Sequence, residues 1–375
     1  MEQIDILIVG GGIAGAALAY AMSVDHRVAL LERETHCGYH ATGRSVAVYS
    51  ETYGSRAIRA LTVASGPFLR HPPDGFSPRP ILHPRGTLHI ARGDQLEKLT
   101  AALIEMQPLA PAINPLTAPE CLTLVPFLRP DQVGAGILES GACDIDVDLL
   151  HQAYLRAARA QGAIIRTEMP VTGIRPDGDG WRVDTPAGPW QTWTLVNAAG
   201  AWADQVAQLA GVAPVGLEPR RRTVTLVEPP AGLDIARLPF VVDIDESFYF
   251  KPSAGMLAVS PADETLVEPA DVQPEELDIA LAMDRLQAAC NIKVTRKGRS
   301  WAGLRSFVAD RNPVIGFEPG IPGFFWLAAL GGYGIQTAPA VAGLAASLIR
   351  GQGVPDRLTS LHFDLAAVSP CRLRR

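Results

Sequence analysis

Residues 4–15 read Ile-Asp-Ile-Leu-Ile-Val-Gly-Gly-Gly-Ile-Ala-Gly, an apolar run that passes directly into a glycine-rich turn. Small residues follow over 16–22, as in a closely packed helix, and a second apolar run over 27–31 ends on Glu32, 22 residues after Gly10. This order is the βαβ fingerprint of dinucleotide binding, which consists of a strand, a glycine turn, a helix and a second strand that ends on an acid. We therefore expect the chain to begin with a Rossmann-like unit that binds a dinucleotide.

Each glycine of this turn has a physical reason to be there. Gly10 permits the tight turn, Gly12 lets the backbone approach a pyrophosphate, and Gly15 lets the helix pack closely on the strands. The helix N-terminus directs its positive dipole end at the phosphates. Glu32 is placed to accept hydrogen bonds from a ribose diol, and its charge disfavours the extra phosphate of NADP. An ordinary glycine-rich turn remains the alternative.

Composition and charge indicate a packed globular protein rather than a nucleic-acid-binding one. The 375 residues are 47% hydrophobic and carry a formal net charge of −6. The basic cluster 220–222 is too short to form a nucleic-acid-binding stripe. The five cysteines are scattered, without metal or redox spacing, so we predict no metal site and a reduced, cytoplasmic protein.

No signal peptide or membrane-spanning segment is predicted. The N-terminus is acidic and enters a strand at once. Residues 324–349 carry no charge, but three glycines within 331–334 and Pro339 favour a strand, a turn and a buried helix over one spanning helix. Thr337 is predicted to cap that helix, with Pro339 in its first turn. Peripheral association with a membrane is left open.

Two later strands repeat the arrangement at the start of the chain. Residues 194–197 form an apolar strand that ends on small residues, and 324–329 form another that ends on the glycines of 331–334. The stretch between them alternates in the manner of an antiparallel sheet. We predict an α/β fold in which a discontinuous dinucleotide domain is interleaved with an α+β substrate domain. The predicted boundaries are 1–85, 145–212 and 303–375 for the dinucleotide domain, and 86–144 and 213–302 for the substrate domain.

Glycine-lined strand ends at the start, middle and end of the chain suit a cofactor longer than a nicotinamide dinucleotide, which usually needs one such turn. This favours FAD, held along its length, over NAD. Five motifs then carry a resemblance to a known family: residues 10–15 with 32–33, then 38–45, 196–202, 301–306 and 331–337. On these motifs nearly the whole chain resembles the FAD-dependent D-amino-acid oxidase superfamily, and most closely its D-arginine dehydrogenase-like bacterial members. The resemblance implies a Rossmann-like FAD-binding domain of the glutathione-reductase type, interleaved with an antiparallel-sheet substrate domain.

The resemblance also implies which residues hold FAD. Ala14, Glu32 and Arg33 hold the adenosine half, and Val171 clamps the adenine. Residues 41–48 line the flavin, and 331–337 wrap its pyrimidine end. The full predicted set is Gly10, Gly12, Ala14, Gly15, Glu32, Arg33, Ala41, Thr42, Gly43, Arg44, Ser45, Val46, Ala47, Val48, Val171, Ala198, Gly200, Trp202, Gly303, Gly331, Gly332, Tyr333, Gly334, Ile335, Gln336 and Thr337.

Two features of this FAD site are expected on chemical grounds. A helix N-terminus and backbone N–H groups near the pyrimidine would stabilise the negative charge of the reduced flavin. Sarcosine-oxidase-like relatives attach flavin through a cysteine near the C-terminal third of the chain. Here Cys290 precedes Arg305 and Cys371 lies at the extreme end, so we expect FAD to be bound noncovalently.

The predicted catalytic residues are Tyr53, Arg222, Tyr249, Arg305 and Gly332. By the resemblance, Arg222 and Arg305 bind the substrate carboxylate, which a guanidinium matches bidentately. Tyr53 and Tyr249 close the site, and Gly332 presents a backbone carbonyl to the substrate amine. The alternatives are a solvated basic run for Arg222, a structural ion pair for Arg305, core packing for the tyrosines and a helix-capping turn for Gly332.

Val48 and Thr87 are predicted to line the substrate side-chain pocket. Arginine-preferring members carry an imidazole and an acid at these two places. Without a carboxylate there, burial of a cationic side chain is unfavourable, unless another acid such as Glu51 or Asp245 reaches the pocket. We therefore expect small or apolar side chains.

The predicted reaction is FAD-dependent dehydrogenation of D-amino acids to imino acids, which water converts to 2-oxo acids. The electron acceptor is left open between a quinone, another carrier and O2. An oxidase of D-amino acids, glycine or sarcosine is the nearest alternative. A nicotinamide dehydrogenase and a non-catalytic FAD-binding protein are the more distant ones.

Overall fold

The computed structural model describes residues 2–230 and 232–374, and its strands form two large sheets and one small sheet. The strands are β1 (Glu2–Val9), β2 (Val28–Leu31), β3 (Val48–Tyr49), β4 (Leu82–Pro84), β5 (Thr87–Ala91), β6 (Ile113–Thr117), β7 (Ala135–Glu139), β8 (Cys143–Ile145), β9 (Ile164–Arg166), β10 (Gly173–Asp177), β11 (Gly180–Thr185), β12 (Gly188–Asn197), β13 (Glu218–Val227), β14 (Phe240–Asp243), β15 (Tyr249–Ser253), β16 (Met256–Ser260), β17 (Thr265–Leu266), β18 (Lys297–Phe307), β19 (Val314–Phe317) and β20 (Phe324–Ala328). The α-helices are α1 (Ile13–Met22), α2 (Arg56–Arg70), α3 (Leu96–Met106), α4 (Ala118–Leu124), α5 (Val147–Ala160), α6 (Ala203–Leu209), α7 (Glu276–Ala289), α8 (Gly334–Ile349) and α9 (Asp356–Ser360). Within these two described ranges, no helix combines the length and apolar character needed to cross a membrane.

The first large sheet is the α/β core of the molecule. Its strands β9, β2, β1, β12 and β20 are neighbours in that order and run parallel, while β10, β11 and β19 add antiparallel strands. Helices α1, α5 and α8 pack on one face and α6 on the other, so the central strands are buried on both faces. This arrangement confirms the predicted α/β class with a Rossmann-like unit at its start.

The carboxyl ends of three parallel strands meet at one edge of this sheet. Val9 at the end of β1 pairs with Leu31 and Asn197. Asn197 at the end of β12 pairs in turn with Trp326 of β20. Each strand then enters a turn of small residues, so the three glycine-bearing turns lie side by side. In an open parallel sheet, this edge is where ligands bind.

The second large sheet is mostly antiparallel. Its order is β17-β13-β16-β15-β14-β5-β7-β6, with β18 also paired to β13, and the pair β14–β5 is parallel. Its strands come from both segments predicted to form the substrate domain, and β18 runs across the predicted boundary at residue 303. The small sheet β3-β8-β4 joins segments from both predicted domains. The exact domain boundaries stay a prediction.

Helix α8 begins four residues earlier than predicted. Its first residue is Gly334, and Tyr333 occupies the N-cap position without a side-chain hydrogen bond. Thr337 lies inside the helix, where its hydroxyl donates to the Tyr333 carbonyl oxygen at 2.9 Å. The prediction that Thr337 caps the helix, with Pro339 in its first turn, is therefore wrong. Gly331 takes a φ of +52°, so the chain has already turned into the helix before Thr337 is reached.

Candidate active site

One continuous cavity runs between the turns of the parallel sheet and the face of the antiparallel sheet. All the predicted catalytic and side-chain-pocket residues line it, and so do all but four of the predicted cofactor residues. The four outside the lining are Gly15, Gly43, Tyr333 and Thr337. A Cβ on Gly15 would lie 2.0 Å from the Gly10 carbonyl oxygen, and one on Gly43 would lie 2.7 Å from that of Gly38. These two glycines therefore allow close backbone contacts behind the residues that line the cavity.

The opening glycine turn leaves its backbone free toward the cavity. Gly10 has a φ of +111°, and a Cβ there would lie 2.4 Å from the Ala198 carbonyl oxygen. Helix α1 begins at Ile13, whose N–H donates to the Thr42 hydroxyl at 3.0 Å. Its N-cap, Gly12, has no side chain and lines the cavity. A helix N-terminus whose N-cap residue has no side chain suits a phosphate group.

Glu32 places a buried carboxylate at one end of the cavity. Its two oxygens accept hydrogen bonds from the N–H groups of Gly11 at 2.8 Å and Glu34 at 3.0 Å. Among the residues that the structure describes, no cation forms an ion pair with it. Each oxygen keeps a further acceptor position, so the carboxylate can also receive a pair of hydroxyl groups. A ribose diol has this pair.

A flat wall of aromatic and apolar groups lies beside Glu32. The Arg33 guanidinium stands over the Trp202 indole, 5.3 Å from its centroid. The His40 ring lies 4.5 Å from that of Trp202 and bonds to the Glu34 carboxylate at 2.9 Å. Val171 lines the cavity at the same end. These surfaces fit a planar heteroaromatic ring such as adenine.

The segment 41–48 forms the middle of the cavity wall and is tied to the antiparallel sheet. The Arg44 guanidinium donates to the carbonyl oxygens of Val272 at 2.9 Å and Ala302 at 3.1 Å, and it pairs with Asp271. In return, the Trp301 indole N–H donates to the Arg44 carbonyl oxygen at 2.9 Å. Both the side chain and the backbone carbonyl of Arg44 therefore attach segment 41–48 to its neighbours.

The start of α8 lies at the wall of the cavity. Gly334, Ile335 and Gln336 line the cavity, and the first turn of the helix contains no acidic residue and no side-chain cap. The positive end of the helix dipole therefore faces the cavity. The Gln336 side chain connects α8 to Ser50, which also lines the cavity, because its amide oxygen accepts a hydrogen bond from the Ser50 N–H at 3.2 Å. An anionic ring system would be stabilised at this place.

Among the residues that the structure describes, Arg305 is a cation without an acidic partner. It lines the cavity, and its Nη1 donates to the Tyr53 hydroxyl at 2.9 Å. Within residues 2–230 and 232–374, no carboxylate lies at ion-pair distance from it. The alternative of a structural ion pair for Arg305 is therefore not what the structure shows. A guanidinium at the wall of a cavity without a counter-ion suits a ligand that carries a carboxylate.

Arg222 also lines the cavity, but it is already engaged. Its Nε donates to the Asp263 carbonyl oxygen at 2.8 Å, and its Nη2 pairs with the Glu264 carboxylate at 3.1 Å. Arg311 shares the same carboxylate at 2.8 Å. Burial raises the pKa of Glu264, but Arg311 and Arg222 outweigh burial and hold it below its ordinary value. The Arg222 side chain is only 7% exposed, so the alternative of a solvated basic run is wrong.

Three tyrosines surround the Arg305 guanidinium. The rings of Tyr53 and Tyr333 are 4.7 Å apart, and Tyr249 is buried yet lines the cavity. A Cβ on Gly332 would lie 2.8 Å from the Arg305 Cζ. A glycine at this position is therefore what leaves room for the guanidinium, a role that the sequence did not indicate.

The side-chain end of the cavity contains groups that the sequence did not single out. Ser50 and His89 line it together with the predicted Val48 and Thr87. The pairing of β5 with β14 and the contact between the Thr52 hydroxyl and His89 Nε2 at 3.1 Å bring these residues together, and no local sequence pattern predicts it.

The two acids suggested as replacements for the missing carboxylate do not line the cavity. Glu51 pairs with Arg70 at 3.4 Å, and Asp245 pairs with Lys98. Glu246 lines the cavity instead, with an exposed side chain and a φ of +53°. Neither acid therefore replaces a carboxylate at positions 48 and 87, and the acids that line the described part of the cavity are Glu32 at the cofactor end and Glu246.

This cavity, a dinucleotide crevice joined to a substrate wall, defines a flavoprotein oxidoreductase site. Residues 5–348 match the model of the family described as FAD dependent oxidoreductase (DAO), so the chain belongs to that family. Membership confirms the predicted superfamily and the predicted cofactor, FAD. Buried Glu32, the bare turn at Gly12 and the uncapped start of α8 fit that cofactor.

Individual relatives share the fold over nearly the whole chain. The glycine oxidase of Geobacillus kaustophilus is 24% identical over 387 residues, which cover 99% of this chain and 97% of that protein. Its crystal structure matches with a TM-score of 0.84 at 23% identity, over 98% of each chain. L-α-glycerophosphate oxidase from Mycoplasma pneumoniae, solved with FAD bound, matches with a TM-score of 0.84 at 22% identity, over 93% of this chain and 95% of that one.

Some relatives are longer than this chain and match it over part of their length. Dimethylglycine dehydrogenase of Rattus norvegicus is 26% identical over 403 residues, which cover 99% of this chain but 45% of that protein. The chain thus spans less than half the length of this relative. The closeness to D-arginine dehydrogenase-like members stays a prediction.

Proposed function

We propose that the protein is an FAD-dependent enzyme that oxidises D-amino acids with small or apolar side chains to imino acids, which water hydrolyses to 2-oxo acids. The observation that supports this most directly is the Arg305 guanidinium, which lies in the cavity wall without a carboxylate partner. FAD, when bound, accepts the hydride that leaves the substrate α-carbon. The protein supplies the binding, the orientation and the exclusion of water.

Arg305 is the proposed anchor of the substrate carboxylate. A guanidinium in a desolvated site binds a carboxylate in a charge-assisted, bidentate manner. The Tyr53 hydroxyl holds the guanidinium in place at 2.9 Å. Arg222 adds positive charge to the same wall, although Glu264 already neutralises part of it. We propose that the two arginines share the carboxylate unequally, with Arg305 carrying the larger part.

Gly332 is the proposed partner of the substrate amine. It lines the cavity directly beside Arg305, so its backbone carbonyl is available close to where the carboxylate would bind. Binding the carboxylate and the amine on adjacent groups fixes the orientation of the α-carbon between them. Tyr53 and Tyr249 then cover the site and keep water away from it.

The cofactor is proposed to be bound noncovalently. Glu32 would receive the ribose hydroxyls, the N-terminus of α1 the pyrophosphate, and the N-terminus of α8 the pyrimidine end of the flavin. No cysteine lines the part of the cavity that the structure describes, and Cys290 is buried elsewhere, next to Leu128. Acid precipitation should therefore release all the yellow colour from the polypeptide.

An O2-using glycine or sarcosine oxidase is the second candidate. The whole-length match to a glycine oxidase favours it, and such a substrate needs only the Arg305 and Gly332 half of the site. A non-catalytic FAD-binding protein is less consistent with a cationic cavity wall that lacks a counter-ion. The electron acceptor, whether a quinone, another carrier or O2, is left to the experiment.

Anaerobic reduction of the purified holoenzyme tests these candidates. Both enantiomers of alanine, leucine and methionine, together with glycine and sarcosine, are mixed with the enzyme, and the loss of visible flavin absorbance is followed. We expect the D-enantiomers to bleach the flavin fastest. Glycerol 3-phosphate and D-lactate serve as controls without an amine. Bleaching by L-enantiomers alone, or only by the controls, would contradict the proposal, and bleaching by glycine and sarcosine alone would favour the second candidate.

A further inference from the structure

We infer that the far end of the substrate side-chain pocket selects an uncharged side chain that carries a hydrogen-bond donor, through Thr87 and His89. This inference rests on the proposed function, because it concerns the side chain of the same amino-acid substrate. It narrows the small or apolar class to side chains whose stem is apolar and whose tip donates a hydrogen bond.

Thr87 and His89 lie on the cavity floor, away from the arginines. The parallel pairing of β5 with β14 places Thr87 beside Phe240 and His89 beside Val242, and all four residues line the cavity. Arg222 is on β13, at the other end of the strand order β13-β16-β15-β14-β5. The Arg222 guanidinium reaches over β15, where it lies 5.9 Å from the centroid of the Tyr249 ring. Two strand spacings of roughly 4.8 Å then separate β15 from β5, which is about 10 Å. A substrate whose carboxylate meets the arginines therefore extends its side chain toward Thr87 and His89.

The Thr87 hydroxyl is a buried polar group without a partner. Thr87 is 1% exposed, and its Oγ1 forms no hydrogen bond with any residue that the structure describes. Buried hydroxyls are almost always hydrogen-bonded, because an unsatisfied one loses its bonds to water and gains none in return. Thr87 lines the cavity, so a rotation about its Cα–Cβ bond would turn the hydroxyl toward a polar group of a ligand.

The His89 imidazole contacts the described part of the protein through Nε2, which leaves Nδ1 free to bind a ligand. Its Nε2 contacts the Thr52 hydroxyl at 3.1 Å, and that hydroxyl donates to the Glu139 carboxylate at 2.8 Å. With the single Thr52 hydrogen directed at Glu139, we assign the imidazole proton to Nε2, which then donates to the Thr52 hydroxyl oxygen. Nδ1 is then an acceptor, and it takes part in no hydrogen bond with the residues of 2–230 and 232–374.

The charges behind this end of the pocket are already satisfied. Glu139 also accepts hydrogen bonds from the Ser50 hydroxyl and the Glu51 N–H, both at 2.6 Å. Burial lowers the pKa of His89 to about 4, so the imidazole is neutral at physiological pH. The pocket end therefore presents neither a free anion for a cationic side chain nor a cation for an acidic one.

The complementary group is a neutral donor. A bare imidazole nitrogen accepts one hydrogen bond, and the Thr87 hydroxyl donates or accepts another. A carboxamide or a hydroxyl satisfies both, whereas an isosteric methyl group leaves both polar groups unpaired. A site built in this way rejects the analogue that lacks the polar group. We therefore expect D-Asn to be preferred over D-Leu, since the two side chains have nearly the same shape.

The first test measures binding with two acids that cannot be oxidised because they lack the amine. Succinamate and 4-methylpentanoate correspond to the asparagine and leucine side chains, and each is titrated calorimetrically into the holoenzyme. We expect succinamate to bind more tightly than 4-methylpentanoate. The dissociation constant of 4-methylpentanoate divided by that of succinamate should fall at least about fivefold in the isosteric variant Thr87→Val. Thr123→Val, which removes an exposed hydroxyl on α4, is the matched control and should leave the ratio unchanged.

The second test asks whether Thr52 positions His89. Thr52→Val removes the acceptor of Nε2, so the imidazole loses its fixed orientation, and the preference for succinamate should fall. Thr52→Ser restores a hydroxyl at the same place and should restore the preference. A loss in Thr52→Val that Thr52→Ser does not rescue would indicate packing alone and would contradict the positioning role.

The outcomes separate this inference from the proposed function. If both acids bind with equal affinity and Thr87→Val leaves the ratio unchanged, the inference is wrong while the proposed function stands. If no amino acid reduces the flavin and neither acid binds, the proposed function fails and this inference fails with it.

Discussion

The crevice at the edge of the parallel sheet and the wall formed by the antiparallel sheet offer a ligand different kinds of group. In the crevice, the proposed binding groups other than the Glu32 carboxylate belong to the backbone, at the starts of α1 and α8, and a side chain at Gly10 or Gly12 would intrude. On the wall, the proposed binding groups are long side chains such as Arg305, which contacts Tyr53 and lies close to Gly332. The crevice should therefore be sensitive to added volume, and the wall to lost or displaced charge.

The largest expected effect is on the crevice. In Gly12→Val, the Cβ would lie 3.3 Å from the Thr42 hydroxyl oxygen, and the two methyl groups would extend into the path of the pyrophosphate. We expect folded but colourless protein. Flavin content per polypeptide and circular dichroism measure the two properties separately. Gly343→Val, at an exposed position of α8 where a Cβ meets nothing within 4 Å, is the control and should stay yellow. A yellow Gly12→Val protein would contradict the proposed role of this turn.

The second prediction contrasts the two arginines of the wall. Arg305→Met removes the cation that lacks a partner, and the loss in kcat/KM should correspond to about 3–5 kcal/mol. Arg222→Met removes a cation that Glu264 already holds, so we expect a smaller loss, about 1–3 kcal/mol. Steady-state kinetics on protein of equal flavin content give both values.

A control arginine separates this effect from a general loss of charge. Arg357 is exposed and donates to the Ala64 carbonyl oxygen on α2, outside the cavity lining. Arg357→Met should retain kcat/KM. Equal losses in Arg222→Met and Arg305→Met would show that the Glu264 pair does not weaken the role of Arg222, and an unaffected Arg305→Met would remove Arg305 from the site.

The same difference explains how much the sequence could predict. The crevice is encoded locally, because the strand, the glycines and the acid follow one another within residues 4–32 and each has one physical explanation. The cofactor and the α/β class follow from such local patterns. Helix α8 is the exception, since its start is decided by the backbone turn at Gly331 and not by the capping chemistry of Thr337.

The wall is encoded in long-range pairing, which one sequence does not reveal. Arg222 and Arg305 were predicted by resemblance, but nothing local indicates that Glu264 pairs with the first and that no acid pairs with the second. His89 and Glu246 were missed for the same reason. The nearest available signal is alternation: His89 lies two residues after Thr87 on one strand, so both side chains point to the same face.

The third prediction tests whether the wall is sensitive to displacement. In Gly332→Ala, the added Cβ would lie 2.8 Å from the Arg305 Cζ, so the guanidinium must move. We expect a loss of about 1–3 kcal/mol in kcat/KM, mainly through KM. In the Arg305→Met background, the same substitution should cost much less, because the group that it displaces is gone. Additive losses in the double variant would show that Gly332 acts independently of Arg305.

The smallest expected effect concerns the charge at the side-chain end of the wall. Thr87 and Val48 present no carboxylate, whereas an apolar side chain gains about 0.8 kcal/mol per buried CH₂. D-Leu and D-Met should therefore exceed D-Arg and D-Lys in kcat/KM. Glu246 lines the cavity away from Glu32, and because it is exposed, its attraction for a cationic side chain should be worth only about 0.2–1 kcal/mol. Glu246→Gln should thus shift the ratio of D-Leu to D-Arg by a few fold at most. Asp245→Asn, which alters the neighbouring acid outside the lining, should leave the ratio unchanged. If the parent enzyme already favours D-Arg, the predicted side-chain preference is wrong, and a large shift in Glu246→Gln would identify Glu246 as the residue that binds the guanidinium.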